Sequence, residues 1–295
     1  MVKVVRNDPL LDAILIEETE GIRFSTVLSN LTRSNITLPL ILFSEMCTPQ
    51  LTRDAINNHV NNYLCTAGRE PADYYQELSN LVVFTIERDR VLTQHSLDTK
   101  RLAALVELAK LGPYNFPTML DFTLEKAIEL TGSEVGYVAI VDREHNMLNM
   151  LAWSKNAQLA SDIANPPMTF DLDKVGLWGA PVRTGKAVII DDYKSIKHPM
   201  KHGTPKGHVD LRNLMMVPIR YEKEIVATAG VANKTRSYSA LDEYNVESLF
   251  EELFKIQQSM ISRNRYEADI EILGQVLDNC PIGVIFLTED YKKAI

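Results

Sequence analysis

Apolar and polar positions change rhythm three times along the chain, and each change predicts a different arrangement. Over residues 1–92, short apolar runs at 12–16, 38–43 and 62–65 alternate with amphipathic stretches at 22–31, 52–58 and 74–90. Strand then helix, repeated, is the order of a parallel α/β sheet with helical crossovers. Helical spacing continues past Arg90 through Leu102, Leu105, Val106 and Leu108, until Gly112-Pro113 and Pro117 break it.

The second rhythm starts with an amphipathic helix over 118–131, closed by Gly132 where a left-handed C-terminal cap is expected. Residues 135–141 and 147–153 read as strands about a turn at 142–146. A polar stretch containing Pro166-Pro167 follows, then a short helix at 178–183, a strand at 187–190 and an irregular loop to Asp210. Strands at 214–220 and 224–232 complete the sheet. The third rhythm begins at Ala240, with Val246, Leu249, Leu253, Ile256 and Met260 three or four apart. That spacing makes one seam of a long helix, and such a seam needs a partner. Arg263-Asn264-Arg265 interrupt the seam before Ile270, Leu273 and Leu277 resume it. Residues 279–283 lead into a strand-like run at 284–287, which reads as the opening of a third domain.

A length of 295 residues suggests about two domains, and 45% hydrophobic residues suffice for true cores. The net charge of −8 argues against nucleic acid and acidic lipid as partners, since both select a basic face. Cys47, Cys65 and Cys280 form no CxxC pair and leave one thiol over in any pairing, which fits a reducing, cytoplasmic setting. No apolar run reaches the ~18 residues of a membrane span, and the N-terminus has no signal-peptide core.

The order strand pair, helix, irregular lid, strand pair, Asn-Lys turn and exit helix resembles a GAF domain over about 115–258. Residues 179–193 (GAPVRTGKAVIIDDY) and 202–219 (HGTPKGHVDLRNLMMVPI) are similar to the form found in prokaryotic multidomain sensors, beside PAS and histidine-kinase modules. The resemblance implies an antiparallel sheet of about six strands, a ligand pocket under the loop 191–212, and end helices packed into a dimer. Residues 10–92 resemble a response-regulator receiver domain that has lost its beginning, with Glu17 at the phosphoacceptor position, Ser44 at the switch hydroxyl and Thr66 in place of the lysine. Phosphoryl transfer to a carboxylate needs the aspartate, Mg²⁺ ligands and a cation, so this part reads as a degenerate, non-phosphorylatable scaffold. Residues 273–291 resemble the start of a PAS domain. The domains expected are therefore 1–92 receiver-like, 93–114 linker helix, 115–258 GAF, 259–278 signalling helix and 279–295 the opening of PAS.

Asn233-Lys234, Tyr238 and Asp242-Glu243 are close to the NKFDE pattern of cyclic-nucleotide-binding GAF domains. The same residues also suit a junction in which Lys234 pairs with Asp242, Asn233 supports the turn, and Ser239 or Asp242 caps the helix. Four lysines (194, 197, 201, 206) and three histidines (198, 202, 208) crowd the lid, where they either attract an anionic molecule or lie solvated on the surface. Trp178 and Tyr193 either stack on a planar ligand or fill core. The candidate ligand contacts are Trp178, Tyr193, Lys201, His202, Lys206, His208 and Arg212. The histidines lack the companions and regular spacing of a metal set, and no metal is expected. Gly185-Lys186 misses the phosphate-loop spacing, and Asp191-Asp192 point apart as neighbours at a strand end.

The combined expectation is a cytoplasmic sensor module: a GAF domain that binds an unidentified small molecule and relays through a homodimer of helices at about 92–111 and 240–278 to a downstream signalling protein. No catalytic set, phosphoacceptor-histidine helix or ATP-binding glycine box is legible, so kinase activity would come only from a region beyond Ile295. A ligand-free dimerisation scaffold is the alternative.

Overall fold

The computed structural model describes residues 11–19, 21, 23–33, 38–111, 115–160, 169–199, 201 and 209–278. Its elements are β1 (Ile14–Glu18), α1 (Phe24–Arg33), β2 (Leu40–Ser44), α2 (Pro49–Asn57), β3 (Asn62–Cys65), α3 (Pro71–Lys110), α4 (Phe116–Thr131), β4 (Val135–Asp142), β5 (Met147–Trp153), α5 (Lys155–Ala160), β6 (Thr169–Asp171), a 3₁₀ turn (Gly176–Gly179), α6 (Ala180–Thr184), β7 (Val188–Ile190), β8 (Leu214–Tyr221), β9 (Glu224–Ala232) and α7 (Ala240–Asp278).

Strands β1, β2 and β3 form a three-stranded parallel sheet in that order. Ile14, Ile16, Leu40 and Leu42 bury one face against Phe24, Leu31, Leu51 and Ala55, while Ile41 and Leu64 meet Tyr74 and Leu78 on the other. Cys47 and Cys65 are joined by a disulfide across the carboxyl end of this sheet, which departs from the reducing setting that the cysteine spacing suggested, because the fold brings together two residues far apart in the chain.

Helix α3 starts on that small sheet and ends in the second core, passing residues 92–93 without a break. Forty residues span about 60 Å, enough to reach from one unit to the other. At its far end Ala104 and Leu108 join α4 and α7 on one face of the second sheet. That sheet is antiparallel with six strands in the order β6-β5-β4-β9-β8-β7. Alternation assigns its two faces. Val138, Met215, Val217, Ile219, Ala227, Ala229 and Val231 meet the helices, whereas Tyr137, Ala139, Leu148, Met150, Leu214 and Met216 point to the opposite side. Helix α4 closes at Gly132, whose φ of +65° places it in the left-handed region.

The polar stretch after Trp153 contains a helix that the sequence did not reveal, α5, and β6 begins at Thr169. The seam at Arg263-Asn264-Arg265 is interrupted in hydrophobicity but not in backbone: α7 runs through it unbroken, with Arg263 paired to Glu267 at 2.8 Å. Helix propensity and i, i+4 pairing sustain the helix where core contact has ended. The PAS-like segment 279–295 lies outside the described residues.

Candidate functional site

The side of the six-stranded sheet away from the helices holds a cavity of about 160 Å³. Its floor is β4, β8 and β9 through Val135, Gly136, Tyr137, Leu214, Gly230 and Ala232, and its walls are Trp153, Ala157, Trp178, Val209 and Leu211. Three rings form one cluster: Tyr137 lies 4.8 Å from Trp178 and 6.0 Å from Trp153 between centroids, and the two indoles are 6.2 Å apart. The tilted arrangements suit the quadrupoles of aromatic rings and fix their orientations.

Gly230 makes this cluster possible. A Cβ there would come within 2.2 Å of Tyr137 Cε1, so only glycine lets the ring lie flat on β9. Tyr137 is buried, and that burial holds its phenol protonated far above its ordinary range. Trp178 is presented by the 3₁₀ turn Gly176–Gly179, and Trp153 by the last position of β5. Backbone groups at the cavity edge are used internally: Gly136 N donates to Ser154 Oγ at 3.1 Å, and Ser154 N donates to Gly136 O at 2.9 Å.

Of the residues expected to meet a ligand, Trp178 lines the cavity. Tyr193 is buried beside it, in the same core cluster but outside the lining. Lys201 reaches back over the Tyr193 ring at 4.7 Å and donates to the carbonyls of Tyr193, Lys194 and Ile196, so it ties the lid to itself. Arg212 pairs with Glu134 at 2.7 Å and donates to Asn233 O at 3.0 Å, bracing the strand ends. His202, Lys206 and His208 lie outside the described residues. Tyr137, Trp153 and Gly230 were missed from sequence. The available signal was an aromatic at an inward position of one strand opposite a glycine in another.

The Asn-Lys turn connects the sheet to α7. Asn233 adopts φ +66°, its Oδ1 accepts from Arg212 N at 2.9 Å, and its Nδ2 donates to Asp210 O at 2.9 Å. Lys234 Nζ is 2.6 Å from Asp242 Oδ2, and that carboxylate also accepts from Ser239 N at 2.8 Å and Ser239 Oγ at 2.9 Å. Ser239 and Asp242 are thus reciprocal caps of α7. The Tyr238 hydroxyl meets Ser133 Oγ at 2.8 Å, tying the same junction to the end of α4.

In the small parallel sheet, register sets Glu18, Ser44 and Cys65 side by side at the carboxyl end. Glu17 is exposed, and Thr66 is buried. Ser44 donates to Glu18 O at 3.0 Å and accepts from Met46 N at 2.9 Å, so its hydroxyl holds the strand end and its loop. Among the described residues, no three His, Cys, Asp or Glu side chains gather to hold a metal ion, and no helix is long and apolar enough to cross a membrane.

A family model described as GAF domain matches residues 115–253. The methyl sulfide methyltransferase-associated sensor of Methanosarcina acetivorans is 34% identical over 172 residues, which are 58% of this chain and 17% of that protein. The chain therefore spans well under a fifth of that relative's length. Among solved structures, the GAF domain of an Acinetobacter phosphoenolpyruvate-protein phosphotransferase aligns with a TM-score of 0.45 at 15% identity, covering 56% of this chain and 93% of that one. Free methionine-R-sulfoxide reductase of Neisseria meningitidis, solved with its substrate, aligns with a TM-score of 0.45 at 13% identity over 58% and 93%.

Proposed function

We propose, taking residues 115–253 as a GAF domain, that this chain is a sensory signalling module whose cavity binds a small molecule and whose helices carry the response. The observation that carries the reading is the position of the cavity: Gly230, Val231 and Ala232 line it, and β9 then runs through Asn233 and Lys234 into the capped start of α7. A ligand that favours one placement of β9 favours one placement of α7, which is how differential affinity becomes an output. The name of the relative from Methanosarcina supports a sensory role.

Two copies would pair through α3 and α7. Phe84, Val91, Leu102 and Val106 on α3, and Ile270 and Leu273 on α7, are each more than half exposed, which is costly for a helix left in water along its whole length. The degenerate receiver-like unit would serve as a scaffold, with Lys201 and Arg212 bracing the chain on either side of the cavity's lid. The output would belong to a downstream partner, such as a kinase module. The cavity favours this reading over a ligand-free scaffold, in which side chains would fill that space.

Native mass spectrometry of freshly purified protein, followed by hydrogen exchange over 255–278 with and without the retained molecule, tests the reading. A retained mass and altered exchange in α7 are expected. A ligand-free protein whose α7 exchange responds to nothing in a metabolite extract would leave the scaffold reading.

A further inference from the structure

The cavity's chemistry narrows its ligand, on the proposed reading that it is the sensory site. Among the described residues, no charged side chain lines it. Among the described residues, four cations near it have other partners: Lys194 meets Asp210 at 2.7 Å, Lys201 three backbone carbonyls, Arg212 Glu134, and Lys234 Asp242. The floor is strand backbone whose N–H groups are spent in the ladders β4·β9 and β8·β9, so it offers no cradle for a phosphate or carboxylate. Against the described lining, an anion entering this space would lose its water without gaining a charged partner.

Size and shape agree with that chemistry. An apolar cavity of about 150 Å³ is known to stay dry and accept benzene, and this one is about 160 Å³. The cluster of Tyr137, Trp153 and Trp178 offers ring faces and edges set at 42–63° to one another. Those surfaces are matched by a flat apolar body meeting face and edge together.

We propose that the cavity selects an uncharged, largely apolar molecule about the size of one aromatic ring, held by Tyr137, Trp153 and Trp178, and that it excludes cyclic nucleotides and small carboxylates.

The chain supplies its own reporter, because it has two tryptophans and both line the cavity. Tryptophan emission of the full chain is titrated with toluene, benzyl alcohol, benzoate and cyclic AMP. Saturable shifts with toluene and benzyl alcohol, at least tenfold weaker binding of benzoate, and no response to cyclic AMP are expected. Ala157→Phe, which fills the cavity from α5, and Val209→Phe, which fills it from the lid, should each abolish the toluene response while circular dichroism stays unchanged; either folded variant suffices. Benzoate or cyclic AMP binding as tightly as toluene, a toluene response that survives both fillings, or no saturable response to either uncharged probe would overturn the proposal. The sensory reading is judged separately: α7 exchange that responds to a retained molecule while toluene does nothing removes the ligand class alone, and toluene binding that leaves α7 unchanged removes the relay alone.

Discussion

Replacing Asp242 with alanine should be among the most damaging single changes at the sheet-to-helix junction, and its size can be worked from the geometry. The carboxylate side chain is 4% exposed and accepts three hydrogen bonds, from Lys234 at 2.6 Å and from Ser239 N and Oγ at 2.8 and 2.9 Å. Loss of a helix cap costs about 1 kcal/mol. Truncating one member of a buried ion pair costs about 3–5 kcal/mol when the other charge is stranded. Lys234 is 20% exposed, so its ammonium can recover part of its hydration, and that contribution falls toward the lower end. A total near 4 kcal/mol is expected, or a drop of about 8–16 °C in Tm for a unit of this size. Urea denaturation followed by circular dichroism measures it. Lys234→Met alone should cost less, since Asp242 keeps both Ser239 donors, and the double variant should show coupling of at least about 1 kcal/mol. A loss below about 1 kcal/mol for Asp242→Ala, or additive single effects, would refute the claim that this pair fastens β9 to α7.

Gly230→Ala should destabilise by about 1–3 kcal/mol in the same assay, because the new methyl must displace the buried Tyr137 ring; an unchanged midpoint would mean that the ring is not seated on β9. Glu247 is held up to about 6 by burial first and by the Glu243 and Glu251 carboxylates second, with Arg220 opposing. A carboxyl raised on folding favours the folded state below its unfolded pKa, and that advantage is lost as pH rises through about 6. Glu247→Gln should therefore stabilise at pH 7.5 by about 1 kcal/mol after allowance for solvent screening, and have no such effect at pH 4.5; a pH-independent difference would contradict it. The Cys47–Cys65 link closes a loop of 18 residues and should contribute about 3 kcal/mol to the small sheet. Non-reduced peptide mapping should find the two peptides joined, and dithiothreitol should lower that unit's melting midpoint; free, fully alkylated thiols in protein purified without reductant would exclude the link.

Much of the architecture was legible because both sheets write strong local patterns. The strand β8 reads LMMVPI without polar interruption because helices cover one face and the cavity-side core covers the other. The Asn-Lys junction was equally legible, since capping and turn residues act on neighbours a few positions away. Helix α5 was obscured by polar residues, and only its contact through Ala157 with the cavity-side core gives it a place. The hydrophobic seam of α7 lapses at Arg263-Asn264-Arg265 while its backbone continues, because a seam records where a helix is packed, not where it ends.

Sequence by itself determined most of the order of elements, the parallel rhythm of the first sheet, the cap at Gly132 and the candidate pairing of Lys234 with Asp242, all of which depend on short-range periodicity or on residues close in the chain. Tertiary structure alone decided the site. Tyr137, Trp153, Trp178 and Gly230 come from four separate elements, and nothing in their local spacing says that three rings and a missing Cβ meet. It also gave Lys201 its place, because a lysine's role depends on which carbonyls surround it, and Lys201 donates to three. Local pattern fixes which face of an element is buried, whereas the contents of the space between faces depend on contacts between residues far apart in the chain.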